Sequence, residues 1–259
     1  ADRGDLLSGR DFVARTHEVI GWGHFEENWG IQKGIIMGRP DSPEVWAQLD
    51  DIIDHVYYFK SGAGLRISMT FVDEGGHFTQ EVRMQCRGRL AKKVFCIKGR
   101  GGDGVPFTSP PKKQKIVIRG KALGTCWQYT LGVDAGKQLI MDNLRVQTPG
   151  AKYSHFPKQD DYGPAYFHGL LSEHLVYKPE RKNPWLWEKI PGHERNEALD
   201  CRNYALAAFK ALPLDLDAID RRIKEAKKER NQAAPAPKQI KAQKPARNKT
   251  ARNKYFDDW

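Results

Sequence analysis

The 259 residues suffice for one large domain or two small ones, and a hydrophobic share of 39% supports a sizeable core. The formal net charge of +11 favours a polyanionic partner, nucleic acid first and an acidic membrane surface second. No apolar run approaches a membrane span and no signal peptide opens the chain; the four cysteines (Cys86, Cys96, Cys126, Cys201) form no Cys-x-x-Cys pair, which argues against zinc and for buried free thiols in a reducing compartment.

The first residue is Ala rather than Met, as expected of a piece of a longer protein. Residues 16–23 and 28–38 read as consecutive strands joined by a short turn. Residues 42–59 read as an amphipathic helix: Ser42 caps it, Pro43 fits its first turn, and Val45, Leu49, Ile52, Ile53, Val56 and Tyr57 make its apolar stripe. Next, Leu65, Ile67, Met69 and Phe71 alternate with Arg66, Ser68 and Thr70, the period-two signal of a strand, and Asp73 stands at its carboxyl end. Gly75 and Gly76 permit a tight turn, and Thr79 caps a helix over 79–88. A strand over 92–100 completes the order β-β-α-β-α-β, which becomes that of a ribonuclease H-like α/β fold if one more strand precedes residue 16. Residues 99–115 read as a Gly/Pro/Lys-rich loop, 116–119 and 126–133 as strands, and 135–144 as a helix. The segment 149–195 reads as loop-rich and aromatic, 196–208 as a helix and 214–230 as a polar helix. The stretch 231–259 alternates Ala, Pro, Lys, Arg and Asn, cannot bury enough apolar surface to fold alone, and reads as a disordered basic tail. Its last residues, YFDDW, are aromatic and acidic and read as a docking motif or a plain chain end. The expected division is therefore a domain over 1–212, the polar helix over 213–230, and the tail.

Two acids stand out. On the 196–208 helix, Glu197, Asp200 with Cys201, Tyr204 and Ala208 recur at helical spacing on a largely small or apolar stripe, so Asp200 is expected to point inward. An inward carboxylate needs a cation or a hydrogen-bond network; a divalent metal is one such partner, while an acid favoured by the helix dipole is the plainer alternative. Asp73 stands at a strand's carboxyl end, where sites gather in α/β sheets, though Asp also commonly opens turns. The stretch GVDAGKQ (132–138) imitates a phosphate-binding loop, but it has three residues between Gly and Gly-Lys and Gln after Lys. Lys137 is thus left to contact a phosphate, to pair with Asp134, or to face solvent. Arg100, Lys112, Lys113 and Lys115 decorate the 99–115 loop and are placed to track a DNA backbone, although charge runs are commonly just solvated. His77 reads as solvent-exposed and His155 as structural; Trp22, Trp29 and Trp46 read as core, and Trp185 and Trp187 as a local clamp.

The stretches VIGWG, PEVWAQLDDII, VDEGGHFTQEV, IKG, GVDAGK, HFP, YFHGLLSEHLV and NEALDCRNYALAA occur here in one order. Together they resemble the nuclease half of the lambda-type (GpA family) phage terminase large subunit, over roughly residues 1–212. The resemblance implies a ribonuclease H-like domain that cuts concatemeric double-stranded viral DNA with two Mg²⁺ or Mn²⁺ ions, held about 4 Å apart by carboxylates. Asp73 and Asp200 match the family's second and third acids. The first should end an opening strand; Asp2 fits best, with Asp5 and Asp11 as rivals and an enlarged hairpin loop after it. Glu197 and Asp134 are candidate auxiliary ligands. Implied partners are the ATPase domain of the same large subunit, which this chain lacks, the terminase small subunit and the portal or prohead, in the host cytoplasm and away from membranes. Two alternatives stay open: a transposase- or resolvase-type nuclease of the same fold, and a non-catalytic module docking DNA and portal.

Overall fold

The computed structural model describes residues 14–60, 62–102, 104–158, 160–193 and 195–233. Asp2, Asp5, Asp11 and the terminal YFDDW lie outside them. In chain order the elements are β1 (Ala14–Trp22), β2 (Asn28–Met37), α1 (Pro43–Asp54), β3 (Tyr57–Tyr58), β4 (Gly64–Leu65), β5 (Thr70–Asp73), α2 (Thr79–Gly88), β6 (Val94–Arg100), β7 (Lys112–Ile118), β8 (Lys121–Gly132), α3 (Val133–Leu144), β9 (Ser154–His155), α4 (Pro164–Leu170), β10 (Glu173–Tyr177), β11 (Trp185–Lys189), α5 (Glu197–Ala211) and α6 (Leu216–Ala233). This is the mixed α/β architecture expected, consistent with a ribonuclease H-like order. No helix among the described residues is long and apolar enough to cross a membrane.

One sheet runs β5-β6-β8-β7, with β5, β6 and β8 parallel and β7 antiparallel. Another runs β1-β2-β9, where β1 and β2 form an antiparallel hairpin bulged between Val19 and Ile20. Among the described residues, β1 pairs only with β2 and β5 only with β6. A largely apolar cavity of about 380 Å³ lies between these two strands, lined also from α1 and α5.

The departures from the predicted elements have local causes. Helix α1 stops at Asp54 because His55 is extended (φ −61°, ψ 141°), so Val56 and Tyr57 leave the stripe and Tyr57 pairs with Leu65. The long strand expected over 65–73 pairs only at its two ends, Gly64–Leu65 and Thr70–Asp73. Lys112, Lys113 and Lys115 belong to a strand rather than a loop: β7 is the outer edge of its sheet, where exposed Lys side chains discourage pairing with foreign strands. The segment 149–195 holds a helix and a two-stranded ribbon, β10 paired antiparallel with β11.

Packing follows the apolar periodicities. Val82 and Cys86 of α2 bury against Val94, Cys96, Ile116 and Cys126 of the sheet, together with Val45, Trp46 and Ile53 of α1. Leu199 and Leu206 of α5 meet Ile140 of α3 and Tyr166 and Leu170 of α4. The four cysteines are free thiols, with Cys86, Cys96 and Cys126 buried. Two buried ionic anchors fix the end of β5 and the first half of α5. Glu74 follows Asp73 and receives two bonds from Arg83 of α2, at 2.8 and 2.6 Å, and one from the Gln128 amide on β8. Arg202 of α5 donates to the Tyr166 hydroxyl at 2.7 Å and to Asn28 at 3.0 Å, and pairs with Glu18 of β1 at 3.4 Å.

The glycines of GVDAGK serve close packing. A Cβ on Gly136 would lie 1.9 Å from Asn203 Oδ1 and 2.3 Å from the Phe107 ring. Asn203 in turn donates to the Val133 carbonyl at 2.9 Å, locking α3 to α5. Gly136→Ala should therefore destabilise the chain by about 1–3 kcal/mol, the usual cost of overpacking. Urea denaturation that found the variant as stable as the parent would refute this.

Candidate active site

Asp73 reaches the site because β5 ends there and the chain turns sharply behind it. Its Oδ1 accepts from the Gly75 amide at 2.9 Å, an arrangement that closes the turn, and its Oδ2 accepts a long bond from the Tyr204 hydroxyl at 3.4 Å. Asp200 lies in the first turn of α5, one turn before Tyr204, and is half-buried. Its Oδ2 accepts from the Asn196 amide at 3.1 Å. The same amide nitrogen donates to Glu173 Oε1 at 2.8 Å, and Glu173 Oε2 accepts from Lys137 Nζ at 2.6 Å. Glu173 and Lys137 are both buried.

Electrostatics tie these groups together. Burial pushes the Asp200 carboxyl up to about 6; Lys137 opposes the shift, while the negative charges of Glu173, Asp73 and Glu197 add to it. Burial likewise raises the Tyr204 hydroxyl, helped by Asp200 and Asp73 on either side. Two acids from distant parts of the sequence thus converge with a surplus of negative charge.

Hard carboxylate oxygens in such surplus suit a hard divalent cation. Among the described residues, however, no three His, Cys, Asp or Glu side chains stand together as a metal centre. Asp73 and Asp200 fit the donor chemistry as a pair.

The profile of the family described as terminase large subunit gpA, endonuclease domain, matches residues 15–223. The chain belongs to this terminase family. The terminase large subunit of Escherichia phage lambda is 32% identical over 228 residues, which cover 83% of this chain and 34% of that protein. The terminase large subunit of Enterobacteria phage P21 is 30% identical over 214 residues, covering 79% of this chain and 32% of that protein. The chain spans about a third of the length of these relatives. No solved structure matches it.

Within this terminase domain the remaining expected residues fall into place unevenly. Lys137 neither faces solvent nor pairs with Asp134: it is buried against Glu173, so its direct contact with a phosphate is not supported by its position. Asp134 accepts instead from the Gly102 amide at 2.7 Å and holds the loop after β6. Glu197 pairs with Arg195 at 3.3 Å on the half-exposed side of α5 while adding to the field at Asp200. Arg100 is exposed at the end of β6. The β-ladder aligns Val72, Cys96, Gln128 and Lys112 across the sheet. Three strand spacings put Lys112 roughly 14 Å from β5, and Lys113 and Lys115 step away from the carboxyl edge. His77 is exposed, and His155 is structural, bonded to Glu27 at 2.7 Å and stacked on Trp29. Trp46 is core, but Trp29 is 39% exposed, contrary to its reading as core.

Glu173 and Asn196 had not been singled out in the sequence. The signal for Asn196 was its place just ahead of the helix that carries Asp200. Glu173 gave none by pattern, because EHLVY (173–177) does not alternate.

Proposed function

We propose that this domain is a metal-dependent DNA endonuclease that hydrolyses phosphodiester bonds of double-stranded viral DNA during genome packaging. The observation that carries the reading is the convergence of Asp73 and Asp200: the charge of Asp73 reaches the Asp200 carboxyl, and Tyr204, one turn beyond Asp200 on α5, donates to Asp73. Two Mg²⁺ or Mn²⁺ ions, when bound, would supply an activated water and stabilise charge on the attacked phosphate and the leaving oxygen. Asp73 and Asp200 would hold them by carboxylate oxygens, and the third acid would be Asp2, with Asp5 or Asp11 as the alternatives. Asn196 orients the Asp200 carboxylate, and Lys137 keeps Glu173 turned toward Asn196. Glu197 and Asp134 would serve only as auxiliary groups. Arg100 and the basic edge of β7, with Lys112, Lys113 and Lys115, would hold the DNA backbone beyond the site. In the whole packaging machine the partners would be the ATPase domain of the same large subunit, the small subunit and the portal, in the host cytoplasm.

Nicking of supercoiled plasmid tests the reading. Cutting should appear with Mg²⁺ or Mn²⁺ and vanish with chelator. Cutting that persists in excess chelator would overturn metal dependence. DNA binding without cutting at any metal concentration would favour the non-catalytic docking module.

A further inference from the structure

The ribbon β10–β11 begins at the site and leaves it. Its first residue is Glu173, bonded to Lys137 and Asn196. The register pairs Glu173 with Lys189, Leu175 with Trp187, and Tyr177 with Trp185. Side chains two apart on a strand share a face, and cross-strand partners share it too. One face of the ribbon therefore carries the site acid at its base, then Leu175 beside Trp187, then Tyr177 beside Trp185 at its tip.

This face is not sealed by the domain. Leu175 is 40% exposed, Tyr177 54% and Trp185 53%, while the Tyr177 and Trp185 rings meet at 4.8 Å and a tilt of 51°. The ribbon pairs with no other strand among the described residues, and an isolated two-stranded ribbon gains little stability from exposed aromatics. Around the tip stand Arg181 and Lys182, both exposed, and Lys178, which is paired with Glu188; Glu180 is the acid among them. A Cβ on Gly102 would lie 3.1 Å from Asn183 Nδ2, so the loop after Arg100 borders the same tip. Aromatic faces flanked by cations, aligned on a site that acts on DNA, have a specific chemical match. Unpaired bases stack on such rings, and their phosphates meet the flanking charges. The outside of an intact duplex offers no base faces to stack.

We propose that this face of the ribbon is a stacking platform for unpaired deoxynucleotides, with Tyr177 and Trp185 as the stacking residues, about 13 Å along β10 from Glu173. The proposal rests on the nuclease reading for its location but not for its test. The experiment measures affinity of the full chain for a fluorescent oligothymidine and for a duplex of equal length, in chelator so that nothing is cut. Tyr177→Ala with Trp185→Ala should weaken oligothymidine binding at least about tenfold and change duplex binding far less, since each stacked ring accounts for about fivefold or more and two are removed. Tyr177→Phe with Trp185→Phe should retain single-strand binding. Unchanged oligothymidine affinity in the Ala pair, or an equal loss on both DNAs, would overturn the platform. Crosslinking of an oligonucleotide carrying 5-iododeoxyuridine to the unaltered chain avoids any folding defect. Adducts on Tyr177 or Trp185 support the assignment, and adducts confined to other elements reject it. Failure of wild-type nicking would count against the catalytic reading alone.

Discussion

Asp200→Asn should abolish DNA cutting and, in chelator, make the chain more stable at pH 8. The first effect follows from removing a carboxylate donor at the proposed site; a loss of at least about a hundredfold is the usual scale for removing one charge-stabilising group. The second follows from its raised pKa. The folded carboxyl titrates near 6, whereas an unfolded Asp titrates near ~3.9. Below the unfolded value both states are protonated and there is no difference. As pH rises between the two values, the unfolded state has released a proton that the folded state still holds, so stability falls. Above about 6 the cost of the buried charge is complete, roughly 2–3 kcal/mol. Asn keeps an acceptor for the Asn196 amide and carries no charge. The stability gap between variant and parent should therefore widen from pH 5 to pH 8 in urea titrations. A gap that stays constant, or a variant that nicks plasmid normally, would remove Asp200 from its assigned role.

Arg83→Met is expected to be the most damaging substitution behind the site. Glu74 is 2% exposed, and Arg83 supplies two of its hydrogen bonds while also donating to the Lys115 carbonyl at 3.0 Å. Removing one member of a buried pair leaves an uncompensated charge, which typically costs about 3–5 kcal/mol. Since Glu74 directly follows Asp73, the loss should also loosen the end of β5. Glu74→Gln combined with Arg83→Met removes both charges and should recover most of the stability, because an unpaired charge costs far more than a missing pair. Chemical denaturation of the single and double variants decides this. A single variant within about 1 kcal/mol of the parent would mean that water or a rearranged side chain satisfies Glu74.

The two convergent acids were legible because each sat inside a strong local pattern. Asp73 closed a stretch of alternating residues and preceded two glycines; Asp200 shared a helical stripe with Tyr204 and Ala208. The stretch Lys112–Ile118 was harder to read as a strand, because an edge strand carries Lys where a central one carries apolar residues. Its pairing with β8 depends on a bulged hairpin rather than on local alternation. Lys137 was readable as a decoy for ATP but not as a buried ion pair, since its partner Glu173 belongs to a ribbon with no clear period. The helix end at Asp54 was missed for a related reason: Val56 and Tyr57 continue the apolar spacing while the backbone has already turned extended. The candidates for the first acid, Asp2, Asp5 and Asp11, lie outside the described residues, so only Asp73 and Asp200 of the three expected acids have a described place in the fold.

One turn of α5 carries both Asp200 and Arg202. Arg202 is tied to β1 through Glu18, to β2 through Asn28 and to α4 through Tyr166, while Tyr204, one turn beyond Asp200, reaches Asp73 on β5. The helix cannot unwind at Asp200 without pulling a guanidinium from its buried partners. Local fraying, which commonly loosens the first turn of a helix, is thereby coupled to the opening of a much larger cooperative unit. The carboxylate inherits the rigidity of a core it does not itself belong to.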